Sequence, residues 1–588
     1  MAILSMPFMP RPIVFLGLTM AVACLAMPVR AQDFSREGPK PVPPVAAPGT
    51  VANGTTAKAD EDGQILLKKL KGVVFVPSPH DVAAGGVEAH GVVLKGVVVP
   101  APKQFPACVE PYLGHTLTHG KLNTLIADVI SFYRKHDHPI IDVIVPQQEI
   151  TNGVIQLVLL EGHVGSVTVS GNRWFSSKEL ASYVRLQSGD TISSHRLQSD
   201  IDWMNTNPFH TTDVVYHPGS ELGETDIVLQ TKDRFPARFY AGYEDSGNAA
   251  TGFDRYEAGM NWGDAFDLGL GQQLNYQYTT SGDGHSLRAQ AGSYIIPLPW
   301  RHTLTFFVSY ADTQGEIPPL LDIKGRSYQI SGRYSIPLPT LAVSTLTLKH
   351  SISGGFDYKY NNNSLEFGGA GAGSTLVDVD QFVVAYDAAL DDPYGQTTLN
   401  DSLYISPGDW GGNNNNMAFN ASHPDAASDY LYDTVTLQRV SKLPEDFSLL
   451  LRGILQFSNK NLTPSEQLGF GGYDTIRGYD EREVNTDEGY IFTAELRTPP
   501  LSFGEIFGCP EFQDQLQFLT FWDTGSAHNH RLLPGETDEI DLSSVGAGVR
   551  YTINTYVSVR FDYGFQLVHT GFDADQGSRS DLGVMISY

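Results

Sequence analysis

The fold class is decided by residues 557–567, which read VSVRFDYGFQL. Alternate side chains of a β-strand point to opposite faces of its sheet. One face of this stretch carries Val557, Val559, Phe561, Tyr563, Phe565 and Leu567, and the other carries Ser558, Arg560, Asp562, Gly564 and Gln566. A strand with an aromatic-rich apolar face and a polar face is typical of a transmembrane β-barrel, whose faces meet lipid and an aqueous lumen.

The C-terminal end distinguishes this barrel from a soluble β-sandwich, whose strands also alternate. The last predicted strand places Leu582, Val584, Ile586 and the terminal Tyr588 on one face. This ending resembles the C-terminal signal of outer-membrane barrels, in which Tyr588 is the final aromatic residue. Alternating segments separated by Gly, Asn, Asp and Pro clusters fill the chain from Phe235 onward, so residues 235–588 are predicted to form the barrel.

An internal repeat indicates the number of strands. The sequence Ile-Pro-Leu-Pro occurs at residues 296–299 and again at 336–339. Proline cannot donate a hydrogen bond to a strand ladder, so both copies are predicted to be turns separated by one hairpin. At about 20 residues per strand and connection, residues 235–588 hold about 16 antiparallel strands, and 18 is the other even number that fits.

The N-terminal region predicts export. Residues 1–31 read as a secretory signal peptide with a cleavage site at Val29-Arg30-Ala31. Lipoprotein processing at Cys24 is an alternative, whereas the apolar run is short for an uncleaved membrane anchor. Residues 32–62 are rich in Pro, Ala and Gly and are predicted to be a tether, because this composition cannot bury a core.

Residues 63–234 predict two small α+β modules. In residues 63–162, a helix with an apolar face over Lys121–Arg134 is followed by two strands. In residues 163–234, a strand and a short helix with a capping-box start at Ser176 precede a second helix, Ser194–Met204, and two more strands. Helix followed by a strand pair therefore occurs twice.

Composition and motifs exclude several functions. The net charge of −27 argues against a nucleic-acid partner, because phosphates demand a basic surface. No nucleophile elbow, metalloprotease helix or phosphate loop is present, so the chain is not expected to be an enzyme or to hold a cofactor or metal. The pair His136 and His138 reads as a solvated turn before a proline. Cys108 and Cys509 are predicted to be lone thiols, with a disulfide as the alternative.

Two motifs in the barrel region point to a family. The segments Gly469–Gly472 and Thr475–Tyr479 resemble the Val-Arg-Gly-Tyr loop of two-partner secretion transporters, the haemolysin activation/secretion proteins, and of their BamA-like relatives. The segment Phe521–Gly525 resembles their Phe-x-Asp-x-Gly strand motif, and the two modules resemble POTRA domains. Ile476 replaces the usual Val, and His136–Pro139 stands where a Gly-Tyr turn is common.

The resemblance implies an outer-membrane protein translocator with its modules in the periplasm. Its partners would be outer-membrane lipid, the barrel-assembly machinery and a passenger protein with an N-terminal secretion domain. The passenger would bind at POTRA strand edges that the sequence does not specify. The alternatives are a BamA-like assembly factor, a passive porin and a soluble exported binding protein. Well-known members carry a pore-plugging helix, for which Asp33–Lys40 is too short.

The resemblance also implies a site. Its loop-anchor motif is Ile476, Arg477, Gly478 and Tyr479, and its barrel-wall motif is Phe521, Asp523 and Gly525. The family pattern folds the loop between strands 11 and 12 inward and sets Arg477 against Asp523, which should face the lumen because a carboxylate facing lipid is costly. Loss of either partner should then cause a similar defect. The alternative is an exposed loop arginine and an ordinary lumen carboxylate.

Overall fold

The computed structural model describes residues 38–43, 63–248, 251–267, 271–317, 321–367, 370–509, 511–532, 539–570 and 577–588. The predicted signal peptide and most of the predicted tether lie outside these residues. The chain divides into two units: Met1–Pro41 with Arg238–Trp262 and Gln273–Tyr588, and Val42–Ala237 with Gly263–Gln272. None of the helices in the described residues is long and apolar enough to cross a membrane.

The first module is a four-stranded sheet covered by one long helix. Its elements are β1 (Ile65–Leu67), β2 (Gly72–Val76), β3 (Gly91–Leu94), β4 (Leu117–Thr118), α1 (His119–Lys135), β5 (Ile141–Ile144) and β6 (Val154–Glu161). The sheet has the order β3-β2-β6-β5, and β1 pairs separately with β4. Thr118 accepts a hydrogen bond from the backbone of Lys121 and so caps α1, which buries its predicted apolar face.

The second module repeats this plan with three strands. Its elements are β7 (His163–Ser170), α2 (Ser177–Ser182), α3 (Ser194–Met204), β8 (His210–Pro218) and β9 (Glu224–Asp233). The sheet has the order β7-β9-β8. Helix α3 has the predicted bounds and buries Leu197, Ile201 and Met204 in the module's own core.

The remaining strands, apart from one hairpin, close into a barrel. In chain order they are β10 (Ala237–Glu244), β11 (Arg255–Trp262), β12 (Gln273–Ser281), β13 (Leu287–Pro297), β14 (Thr303–Ile317), β15 (Leu321–Pro337), β16 (Leu341–Val343), β17 (Leu346–Phe367), β18 (Ala370–Asp392), β19 (Gly395–Pro407), β20 (Asp429–Lys442), β21 (Ser448–Ser458), β22 (Leu468–Phe470), β23 (Val484–Thr486), β24 (Glu488–Arg497), β25 (Asp514–His528), β26 (Ile540–Ile553), β27 (Val557–Gln566) and β28 (Ser578–Ser587). Strands β22 and β23 pair with each other outside the barrel sheet. Two short helices, α4 (Asn416–Ser422) and α5 (Phe503–Ile506), lie between strands.

The barrel wall consists of 16 long antiparallel strands, which confirms the predicted fold class. The short β16 is an extra pairing beside β17, because β15 also pairs directly with β17. Antiparallel pairing of β10 with β28 closes the circle. Pro297 and Pro337 are the last residues of β13 and β15, so the repeat marks strand ends with the turns just beyond them.

Alternation along β27 sorts its side chains as the sequence predicts. Phe561, Tyr563 and Phe565 lie exposed on the outer face, whereas Asp562 is fully buried on the inner face. On β25, Phe518 and Trp522 point outward and Asp523 is buried inside. The outer surface is thus an apolar, aromatic belt suited to lipid.

Candidate functional site

A long connection between the eleventh and twelfth wall strands builds the site. This inward loop comprises residues 459–487, between β21 and β24, and contains the β22–β23 hairpin. Loop and wall residues together form one hydrophobic cluster that holds the loop in place: Phe470, Ile476, Tyr479, Val484, Ile491, Ala527 and Leu542. Because β24, β25 and β26 contribute to this cluster, the loop folds against the inner face of the barrel.

Arg477 joins the loop to the wall. Its Nε lies 2.8 Å from one oxygen of Asp523 and its second terminal nitrogen lies 3.0 Å from the other oxygen. The Arg477 backbone amide donates to the same carboxylate at 3.2 Å. This forked geometry is directional and charge-assisted, and both side chains are buried.

Two further carboxylates face the same guanidinium and were missed by the sequence analysis. Glu495 on β24 accepts a hydrogen bond from Arg477 at 3.0 Å, and an oxygen of Asp562 on β27 lies 3.6 Å from the guanidinium. Arg550 and Arg560 also bind Asp562. The available signal was a carboxylate at an inward-facing position, which Asp562 shows in the stretch 557–567.

Phe521 is an aromatic residue on the inner face of β25. It shares the inner face with Asp523, although an aromatic residue is unusual on a polar face. The centre of the Arg477 guanidinium lies 3.5 Å from the centroid of the Phe521 ring. Cation–π contact therefore accounts for this inward aromatic residue.

Gly478 brings the loop backbone against the wall. Its φ of +92° lies in the region that favours glycine, and a Cβ there would meet the carbonyl carbon of Gly564 at 3.0 Å. A Cβ on Gly564 would in turn meet the Gly478 nitrogen at 2.7 Å. The two glycines thus form one close backbone contact between the loop and β27.

The other motif residues support the same contact. Tyr479 is fully buried, donates to the carbonyl oxygen of Ser543 at 2.8 Å and accepts from the Ser543 amide at 3.0 Å. A Cβ on Gly525 would meet Ile476 Cδ1 at 2.9 Å, so the absence of a side chain at Gly525 leaves room for Ile476. The structure thus brings together all seven residues of the loop-anchor and barrel-wall motifs.

Tyr588 lies elsewhere, at the seam of the barrel. Its backbone exchanges hydrogen bonds of 2.8 and 3.0 Å with Phe239, while its side chain is exposed. The terminal residue therefore extends the β10–β28 pairing that closes the barrel.

The described part of the predicted tether, residues 38–43, is not helical. The Lys40 ammonium lies 2.9 Å from Glu244 and 3.2 Å from Glu257, and its backbone amide donates to the Tyr240 hydroxyl at 3.0 Å. Asn261 donates to the Lys40 carbonyl oxygen at 3.2 Å. The tether is thus bound to the inner wall at Lys40, a contact that its composition did not predict.

The His136–His138 turn joins the two modules. Asp137, at φ +71°, accepts hydrogen bonds from the Ser193 hydroxyl, from Ser194 Oγ at 2.8 Å and from the His195 amide at 2.7 Å. Burial alone would raise the pKa of Asp137, but hydrogen bonds from these three residues lower it. A carboxylate of the first module therefore caps helix α3 of the second.

The surroundings of the two cysteines and of the His136–His138 turn show whether these residues could form a disulfide or a metal site. Cys108 and Cys509 are free thiols, and burial raises the pKa of Cys108 to about 11. His138 Nδ1 contacts the Glu161 carboxylate, and His136 Nδ1 contacts the Phe132 carbonyl oxygen at 2.7 Å. Among the described residues, no group of three or more His, Cys, Asp or Glu could hold a metal ion.

Comparison with known proteins places this architecture in a family. Residues 223–551 match the sequence model of the haemolysin secretion/activation protein ShlB/FhaC/HecB, and residues 87–162 match the ShlB-type POTRA domain. The heme/hemopexin transporter protein HuxB of Haemophilus influenzae is 23% identical over 77% of this chain and 80% of its own length. The outer membrane transporter CdiB of Dickeya dadantii is 21% identical over 83% of this chain and 84% of its own length.

Solved structures agree on the fold. CdiB from Escherichia coli superimposes with a TM-score of 0.70 at 16% identity and covers 92% of this chain and 94% of its own. Since the ShlB/FhaC/HecB match spans more than half of the sequence, the chain belongs to the haemolysin secretion/activation family of outer-membrane transporters, which export partner proteins by two-partner secretion.

Proposed function

We propose that this transporter captures an unfolded passenger protein, with an N-terminal secretion domain, at its periplasmic modules and passes it through the barrel lumen. The inward loop would rearrange during passage. The observation that carries the proposal is the buried Arg477 contact, which fixes a loop of some thirty residues inside a barrel of 16 strands. A barrel of this size encloses an aqueous lumen when nothing fills it.

The chemistry of the anchor suits a loop that has to move. An arginine paired with Asp523, Glu495 and Asp562 is stable while it is buried, yet each of these groups is well solvated when exposed to water. A chain entering the lumen brings water and polar groups that can replace these contacts. An apolar plug of equal area would lose its hydrophobic stabilisation without such compensation.

The modules offer sheet edges for the passenger. Strands β3 and β5 form the edges of the first sheet, and β7 and β8 form those of the second. An extended segment can add to such an edge through main-chain hydrogen bonds, which bind without demanding one sequence. The edge of β8 is the longest of the four, since this strand has nine residues, β7 has eight, and β3 and β5 have four each.

Deletion of residues 63–234 tests the receptor role of the modules. The deletion variant should still enter the outer membrane and conduct ions but should export nothing. The assay is the amount of a co-expressed passenger at the cell surface, with a large exported protein encoded by the neighbouring gene as the first choice. Export at the wild-type rate would show that the modules are not the receptor.

A BamA-like assembly factor is the second candidate, because it would share the loop and strand motifs. The family match and the ShlB-type module favour secretion. The two functions separate on deletion of the gene: loss of one surface protein indicates secretion, and loss of many outer-membrane barrels indicates assembly. We further propose that the barrel-assembly machinery inserts this chain and recognises its C-terminal strand with Tyr588.

A further inference from the structure

The inward loop contacts the wall at a second buried ion pair. The Glu466 carboxylate receives two hydrogen bonds from the Lys359 ammonium, at 2.9 and 3.0 Å, and one from the Tyr432 hydroxyl at 2.8 Å. Gln381 donates to it at 3.0 Å and Ser465 at 2.9 Å. The Glu466 side chain has no exposed surface and that of Lys359 is 18% exposed.

This cluster lies on a different part of the wall from the Arg477 contact. Lys359, Gln381 and Tyr432 belong to β17, β18 and β20, the seventh, eighth and tenth wall strands. Arg477 meets β24, β25 and β27, the twelfth, thirteenth and fifteenth. The loop is therefore fixed at both parts of the wall, and residues 466–477 connect them within the barrel.

Apolar packing reinforces the second contact. Leu462, just before Glu466, is fully buried with Phe419 of helix α4 and with Val377, Val379, Tyr430 and Tyr432. The connection between β19 and β20 thus folds onto the same part of the loop. Tyr430 donates at 2.8 Å to Gln381, which joins this packing to the hydrogen-bond network of Glu466.

We propose that Glu466 is a second positioning residue of the inward loop, and that its release from Lys359 is required to open the lumen. A buried carboxylate is stable only while its cation and donors stay in place. Loss of Lys359 should therefore free this part of the loop while the Arg477 contact remains. The need for release during export rests on the proposed function, whereas the effect on the lumen does not.

Ion conductance through purified transporter in planar bilayers tests the anchor without any passenger. Lys359→Met and Glu466→Gln should each open at least about tenfold more often than wild type. Lys460→Met is the matched control, because Lys460 is a loop lysine that contacts Asp429 of the wall at 2.5 Å in a more exposed setting. The control should behave as wild type. Heat-modifiable mobility on gels shows whether the wild type and the three variants are folded. Equal opening frequencies in all four folded proteins would overturn the proposal.

Two further variants separate anchoring from misfolding and from the proposed function. The double variant Lys359→Glu with Glu466→Lys exchanges the two charges and should restore the low opening frequency of the wild type. Frequent opening in this variant would contradict an ion-pair anchor. In a Cys108→Ser, Cys509→Ser background, export by Lys359→Cys with Glu466→Cys is measured before and after a short bis-methanethiosulfonate joins the two thiols through disulfides. The bridge should stop export, and a reductant, which cleaves both disulfides, should restore the initial rate. Export at the wild-type rate while bridged would refute the release step. If the wild type itself does not export the large protein encoded by the neighbouring gene, the proposed function is refuted, whereas the conductance result still stands.

Discussion

At the residue scale, the arrangement around Arg477 is unequal. One guanidinium, that of Arg477, faces three carboxylates: Asp523, Glu495 and Asp562. If one carboxylate is lost, Arg477 still has the other two as partners. If Arg477 is lost, no other cation takes its place with the same geometry. The Arg550 and Arg560 guanidinium groups already bind Asp562. The pair taken alone predicts equal effects for its two partners, whereas the surroundings predict a larger effect for Arg477.

Arg477→Ala should reduce secretion more strongly than Asp523→Ala, with insertion of the barrel nearly unchanged. Removal of the arginine leaves the buried Asp523 without the cation that it binds, whereas Glu495 keeps Arg497 at 2.6 Å. Breaking a buried pair costs about 3–5 kcal/mol. Arg477→Lys should rescue only partly, because an ammonium lacks the two-pronged geometry. Secreted passenger per inserted transporter is the measurement. A double mutant whose defect equals the product of the single defects would contradict a shared anchor.

Gly478→Ala should also impair secretion while leaving heat-modifiable mobility intact. The substitution places a Cβ at 3.0 Å from Gly564 and strains a residue at φ +92°. Gly284→Ala is the matched control, since Gly284 has a φ of +67° but open space around its Cβ position. Secretion by Gly478→Ala as high as by Gly284→Ala would contradict a role for the close approach at Gly478.

At the element scale, His210 at the start of β8 makes the second module sensitive to acid. It is buried and packs against Phe175 with ring centroids 4.7 Å apart. Burial lowers its pKa from 6.5 to about 4. The unfolded chain therefore binds a proton between these values that the folded module excludes, so stability falls as the pH drops from about 6.5 to about 4.

The free energy of unfolding of a fragment spanning residues 63–234 should thus fall by on the order of 3 kcal/mol across this pH range from His210 alone. Urea unfolding at several pH values measures it. His210→Gln should flatten the dependence, because glutamine does not titrate. An unchanged slope in that variant would assign the acid sensitivity to other groups.

Elements defined by periodicity were predictable, and those defined by distant partners were not. Helix α3 has its predicted bounds because its apolar spacing is a local property. The capping box at Ser176 was wrong: Ser176 makes no side-chain capping bond, and Asn172 binds Ser177 instead. The cap on α3 from Asp137 lies 58 residues from His195, so no local pattern could reveal it.

The same distinction holds for the site. Arg477 and Asp523 were found through motifs, and the inward face of β25 followed from alternation. Glu495, Lys40 and Glu466 were not found, because a carboxylate or lysine in a barrel sequence gives no indication of which residue it meets across the lumen. Their partners are set by the closure of the barrel.

At the scale of the whole molecule, the barrel should behave as a membrane-embedded, heat-modifiable protein. Phe561→Leu should be tolerated because the outer face needs only an apolar surface. Phe561→Arg should cost up to about 2–4 kcal/mol, the value for a charge at the membrane midplane. Unfolding in liposomes by guanidinium measures both. Equal stability of the two variants would contradict contact of Phe561 with lipid.

We expect a passenger to cross the lumen of this barrel. Ser331 and Ile330 are neighbours on β15, and alternation places the buried Ser331 inward and the exposed Ile330 outward. A photo-crosslinking amino acid at each position, with export arrested by a folded domain fused to the passenger, tests the route directly. A crosslink to the passenger should form from position 331, which faces the lumen, and none should form from position 330. An arrested passenger that gives no crosslink from position 331, or equal crosslinks from both positions, would contradict passage through the lumen.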